Sequence, residues 1–445
     1  MTILNESGVP DVISPLWDLA GLAERLPDTL FVVVGTRADA HLAQSLSGPL
    51  PGSPVDRPYG VFGVHPRVVF VVLEPDEEYA SGALASHVVE AADFRRARLV
   101  LLVACRSVDL LGMDAGFEAV LAERRLDMPV RVVTPDPGLS GFGVLSTNLE
   151  DGVIRALIEL CPLGGSEPEE ERSYSKGSLL GMLRSQPGRM TSGEKGARRP
   201  VVFLGALPGP QEELAGELAR AGVEVAGRVP GTEAGWLPPV GEETVVATAD
   251  PYLTGACRVA EERGALVVRT LLPIGVDGTA RFVQDVVAST GRGTSEADRA
   301  RQVWEELEPL RNRIRGRRIF FTGDTGLEVP LARFLANAGA VVLEVGTPRL
   351  EKRFLAAELA ALGEDVDVVE LPEWRAQLDR IDAARPDVVV ASPGLYVPLV
   401  ARGHLCRSSL DLLSLGVHGY EGARRVLELF ARTFERAEGL DALNL

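Results

Sequence analysis

Short apolar strands alternate with helical stretches along most of this chain, and that alternation leaves few folds open. Its clearest instance is Leu99–Ala104, LVLLVA, an unbroken apolar run between Arg98 and Cys105. Such a run reads as a parallel strand buried on both faces. It delivers Cys105 to the strand's carboxyl end, and the next helix is predicted to begin around Met113. Ligands of open α/β sheets gather at the carboxyl ends of strands. Two readings of Cys105 stay open. It holds a ligand, or it is a small buried hydrophobe, since free Cys is among the most buried residue types.

The same alternation recurs in order. After a short irregular lead and a helix-like piece at Leu16–Arg25, strands are predicted at Leu30–Val34, Val68–Leu73, Leu99–Ala104 and Val130–Val133. Helices are predicted at His41–Leu46, Ala83–Ala97, Gly116–Arg125 and Asp151–Leu160, and residues 47–60 read as loop. Residues 163–199 are polar, charged and Gly-rich, the composition of a flexible linker, with a short helix at Leu179–Leu183. A second set starts at Pro200, with strands at Val201–Leu204, Val223–Val225, Thr244–Thr248 and Leu266–Arg269. One polar helix, Ser295–Arg313, bridges to a third set that runs from Arg318 to a final helix at Gly419–Glu438. The expected division is 1–162, a linker 163–199, 200–293, a bridging helix 294–317, and 318–445. The fold class is α/β, with three Rossmann-like, doubly wound parallel-sheet domains.

Composition narrows the function. A net charge of −17 argues against nucleic acid, whose phosphates demand concentrated Lys and Arg. No apolar run approaches the ~18 residues of a membrane helix. The start, MTILNESGVPDV, lacks the basic end and apolar core of a signal peptide, so a cytoplasmic location is expected. The four cysteines, 105, 161, 257 and 406, are far apart, with no CxxC and no zinc spacing. Four thiolates from this chain alone are not on offer for an iron–sulfur cluster.

Glycine-rich turns close three strands: GTRADAH at 35–41, GALPGP at 205–210 and GDTGLEVP at 323–330. None is a G-x-G-x-x-G or G-x-x-x-x-G-K-[ST] fingerprint, so they read first as tight turns, and ATP is expected on a partner. His418, held between glycines in GVHGYEG, is a candidate site residue.

Longer stretches carry a resemblance. RLPDTLFVVVGTRADAHLAQS, LPPVGEETVVATADPYL, LLPIGVDGTARFV, GLEVPLARFLANAGAVVLEVGTP, ARPDVVVASPGLYVPL and GVHGYEGARRVLELF occur in the order of one family. The chain resembles the N subunits of light-independent (dark-operative) protochlorophyllide reductase, a nitrogenase-like enzyme. The resemblance implies a nitrogenase component 1-like fold and a heterotetramer with a B-type subunit. It implies a transient ATP-hydrolysing iron–sulfur partner, and reduction of the ring D double bond of protochlorophyllide to chlorophyllide in (bacterio)chlorophyll biosynthesis. It also implies a 4Fe–4S cluster at the interface with the B-type subunit, ligated by three cysteines of the N subunit.

Only one of those cysteines is present. Cys105 matches, while GVPDVISPL puts Ser14, and TRADAH puts Asp39, where the family has Cys. Ser and Asp are harder oxygen donors than thiolate. The phenylalanine that would face the tetrapyrrole is Ile13 here, and His418 is the other candidate substrate contact. Three readings follow. The chain is a working N-type subunit with a Ser14/Asp39/Cys105 cluster, a cluster-free scaffold paralogue, or a subunit of a related nitrogenase-like reductase with another substrate.

Overall fold

The computed structural model describes residues 2–8, 19, 22–23, 25–40, 67–74, 80–95, 97–133, 149–163, 199–205, 210–231, 237–363 and 366–442. The described strands are β1 (Ile3–Asn5), β2 (Thr29–Gly35), β3 (Val68–Val72), β4 (Leu99–Ala104), β5 (Val130–Val133), β6 (Val201–Leu204), β7 (Val225–Val229), β8 (Val245–Thr248), β9 (Leu266–Val267), β10 (Arg318–Phe321), β11 (Val341–Thr347), β12 (Asp367–Glu370), β13 (Val388–Ala391) and β14 (Cys406–Ser408). They form three parallel sheets, ordered β3-β2-β4-β5, β7-β6-β8-β9 and β1-β12-β11-β10-β13-β14. The α/β class with three doubly wound parallel sheets is thus as expected. Each sheet reverses its strand order at one point, between β2 and β4, between β6 and β8, and between β10 and β13. In folds of this kind such a switch point opens a crevice at the strands' carboxyl ends.

The chain forms two compact units. One comprises Ser14–Ala206 and Glu224–Val268, the other Met1–Ile13, Leu207–Val223 and Arg269–Leu445. In the first, β2 and β4 run in register from Thr29 opposite Leu99 to Val34 opposite Ala104. Leu30, Val32, Val34, Val100 and Leu102 pack with Leu84, Val88, Ala119 and Ala122 of the helices Ala83–Arg95 and Ala115–Leu126. Phe31, Val33, Leu101 and Val103 are buried on the opposite face. Glu118, 5% exposed, accepts from the amides of Gly82 (2.6 Å) and Ala85 (2.8 Å) and so caps the neighbouring helix.

In the second unit the lead segment, expected to be irregular, is an edge strand. β1 pairs in parallel with β12, Ile3 opposite Val368. Arg380 fixes it, donating to Glu6 (2.7 Å) and Glu344 (2.6 Å). The bridging helix breaks into Ala297–Glu306 and Glu308–Ile314, because Pro309 has no N–H to continue the ladder. Between β13 and the final helix, Gly419–Ala442, lie a helix Pro393–Ala401, β14 and a helix Ser409–Leu415 that the sequence pattern does not announce. In the first unit β7 starts later than expected, at Val225.

The helix at His41–Leu46, the loop 47–60, most of the piece Leu16–Arg25 and all but the ends of the 163–199 stretch lie outside the described residues. Among the described residues no helix is long and apolar enough to cross a membrane.

Candidate functional site

The switch point of the first sheet brings Asp39 and Cys105 together. β2 ends at Gly35, and the chain turns at once into a helical segment over 37–40. Thr36 and Asp39 form a capping box there. The Asp39 Oδ2 accepts from the Thr36 amide and the Thr36 hydroxyl, both at 2.8 Å, and Thr36 Oγ1 accepts from the Asp39 amide at 3.4 Å.

Cys105 follows β4 in an extended conformation (φ −67°, ψ 154°) at the N-cap of a short helix, Arg106–Leu110. This helix precedes the one expected around Met113, which starts at Ala115. The Cys105 amide donates to the carbonyl of Val34 at 2.8 Å, extending the β2–β4 ladder by one bond. Two residues on, the Ser107 hydroxyl donates to Asp39 Oδ2 at 2.7 Å. One carboxylate oxygen thus collects three donors, two from the end of β2 and one from just beyond β4.

Gly35 lets these side chains meet. A Cβ there would lie 2.7 Å from Asp39 Oδ2, 2.9 Å from Asp39 Cβ and 3.0 Å from Cys105 Cβ. Cys105 is 2% exposed. Burial, and after it the charge of Asp39, push its thiol up to about 12, so it is a neutral thiol at physiological pH.

The other proposed positions fall elsewhere. Ser14 and Ile13 lie outside the described residues. His418 belongs to the second unit, where it is buried, bridged through its backbone to Ile274, and followed by Gly419, whose amide donates to the Pro273 carbonyl at 2.8 Å. Glu213 accepts from the Glu421 amide at 2.8 Å and secures the first turn of the final helix beside it. The turn at 323–330 is filled from within. Glu328 Oε1 accepts from the amides of Asp324 (2.8 Å), Thr325 (2.6 Å) and Gly326 (3.1 Å) and from the Thr325 hydroxyl (2.8 Å). A carboxylate there occupies the place an anion would take at such a turn.

Thr36 and Ser107 were not singled out from the sequence. The signal for the first was present: Thr36-x-x-Asp39 is a capping-box pattern directly after an apolar run. Ser107 had none, because its partner lies 68 residues away.

Comparison with known proteins defines the class first. The chain shares its fold with a solved structure of nitrogenase Cp1 at pH 6.5, with a TM-score of 0.68 over 98% of this chain and 93% of that one, at 12% identity. A model of the nitrogenase component 1 type oxidoreductases matches residues 153–435. The chain is 34% identical to light-independent protochlorophyllide reductase subunit N of Roseiflexus castenholzii, over 99% of its own length and 96% of the relative's. It is 33% identical to the subunit N of Heliobacterium modesticaldum, over 98% and 97%. The chain belongs to the nitrogenase component 1 type oxidoreductases, among the light-independent protochlorophyllide reductase N subunits.

The residues at the site do not fit the iron–sulfur cluster that the resemblance implies. Such clusters are held by thiolates. Of the described candidates Cys105 alone offers sulfur, and Asp39 has one oxygen filled by three hydrogen-bond donors. Among the described residues no group of three or more His, Cys, Asp or Glu side chains is arranged to hold a metal ion.

Proposed function

We propose that the chain is the N-type subunit of a light-independent protochlorophyllide reductase or of a close nitrogenase-like reductase. It assembles with a B-type subunit into a heterotetramer in the cytoplasm and is served by a transient ATP-hydrolysing iron–sulfur protein. The complex adds two electrons and two protons across the ring D double bond of protochlorophyllide. Ile13 and His418 are the positions offered for substrate contact.

The observation that carries this reading is end-to-end similarity at 34% identity to a protein named for that role. The three parallel sheets, each with its switch point, support it as the framework. The 4Fe–4S cluster at the interface with the B-type subunit is the part that the described residues do not fit, and no electron-transfer step is assigned through them.

Co-expression with a B-type subunit tests the reading. The two chains are expected to elute together as a heterotetramer, and the complex to shift the visible absorption of added protochlorophyllide. Elution of this chain alone, with no spectral shift, contradicts it.

A further inference from the structure

We infer that Asp39 is a structural carboxylate, which locks the carboxyl end of β2 to that of β4 by hydrogen bonds where the resemblance implies an iron ligand. The inference rests on the N-type reading, because only that reading puts a ligand at position 39.

The first support is the state of the oxygen itself. A carboxylate oxygen has about two lone-pair directions. Asp39 Oδ2 receives the Thr36 amide, the Thr36 hydroxyl and the Ser107 hydroxyl, all within 2.8 Å. No further direction is left on it for a metal.

A second support is that the arrangement is written locally into the chain. Thr-x-x-Asp is a helix-start device, and it works from four consecutive residues. The carboxylate of Asp39 therefore finds two of its donors as soon as the 37–40 turn forms. Ser107 then adds the long-range bond across the switch point.

A third support is that another strand end of the chain is closed by a carboxylate where the resemblance places no ligand. In the third sheet, Glu328 Oε1 accepts from the Thr325 amide and hydroxyl after β10, as Asp39 Oδ2 accepts from those of Thr36 after β2, and also from the amides of Asp324 and Gly326. At these two switch points, then, a carboxylate from the turn that follows the strand closes the strand end.

Packing agrees. Asp39 and Cys105 both lie against Gly35, where an added Cβ would sit 2.7 Å from Asp39 Oδ2 and 3.0 Å from Cys105 Cβ. The second oxygen, Oδ1, is the one route by which Asp39 could still reach iron, and the experiment addresses it.

The test compares the native chain with Asp39→Ala and Asp39→Asn, alone and in the anaerobically purified complex with a B-type subunit. Thermal melting and low-temperature EPR are the readouts. Asp39→Ala is expected to lower the Tm by about 2–4 °C. Asp39→Asn, which keeps an acceptor for the Thr36 amide, is expected to lower it less. The EPR spectrum of the complex is expected to be the same in all three. An unchanged Tm in Asp39→Ala overturns the inference, and so does a cluster signal in the native complex that shifts or disappears in that variant. If Asp39→Ala does not fold, the comparison of the native chain with Asp39→Asn decides by the same two criteria. Failure of the chains to pair counts against the N-type reading instead, and leaves the melting of the isolated chain to judge the lock.

Discussion

The Ser107 hydroxyl donates to Asp39 at 2.7 Å and thereby joins two strand ends that lie 68 residues apart in sequence. The bond crosses the point where the first sheet reverses its strand order. Removing it in Ser107→Ala leaves a partly buried carboxylate one donor short. Hydrogen bonds to charged groups contribute about 1.5–3 kcal/mol, and partial exposure places this one at the low end, about 1.5 kcal/mol. A urea titration is expected to show a lower midpoint with an unchanged slope. A midpoint equal to the native one would mean that the bond contributes nothing.

Cys105 is 2% exposed, and its thiol is pushed up to about 12 by burial and then by the neighbouring Asp39 charge. Thiolates, not thiols, react with alkylating agents. In the native chain at about pH 8, iodoacetamide is expected to leave Cys105 unmodified, and in denaturant to modify it fully. Peptide mass spectrometry reads the difference. Rapid native labelling at Cys105 would show a thiolate, and would contradict the protonated state described here.

In the second unit, Arg333 and Glu358 form an ion pair at 2.5 Å with neither side chain exposed. Glu358 also accepts from the Leu272 amide (2.6 Å), and Arg333 donates to the carbonyl of Ile274 (2.8 Å), so the pair holds the turn that leads into the helix Gly275–Ser289. Breaking a buried pair on one side costs about 3–5 kcal/mol, while replacing both partners with apolar groups costs far less. Arg333→Met is therefore expected to be much less stable than the double variant Arg333→Met/Glu358→Leu. A double-mutant cycle with no coupling would refute this.

Burial holds the Glu344 carboxyl above the usual carboxylate range, with the Arg380 hydrogen bond opposing it. The folded chain then binds that proton more tightly than the unfolded chain. The group's contribution is present in full at pH values below its unfolded pKa and is lost as pH rises through the raised folded value. Above about pH 4, where Glu344 of the unfolded chain ionises first, Glu344→Gln is expected to weaken the fall of Tm with rising pH. Parallel native and variant curves over that range would show that Glu344 has no such share.

How much of this was legible in sequence depended on whether the cause was local. β4 at Leu99–Ala104, β5 at Val130–Val133 and β6 at Val201–Leu204 stand where their apolar residues put them. β1 carries no such pattern. Three residues become a strand only because β12, more than 360 residues later, offers an open edge. The helix Pro393–Ala401 was hidden by its two prolines and by an apolar sequence without helical period. At the candidate site, the rule of strand ends was enough to direct attention to Cys105 and the turn holding Asp39. What Asp39 does there depends on Ser107, and no sequence pattern joins those two.

The most direct measurement is iron and acid-labile sulfide in the anaerobically purified complex with a B-type subunit, taken beside the Ser14→Cys/Asp39→Cys double variant, which puts thiols where the resemblance implies them. The native complex is expected to be folded and assembled with no cluster-stoichiometric iron, and the double variant to gain it. About four iron and four sulfide per pair of subunits in the native complex would contradict the misfit of this site to a cluster, and would make this chain a ligand-bearing member of its family.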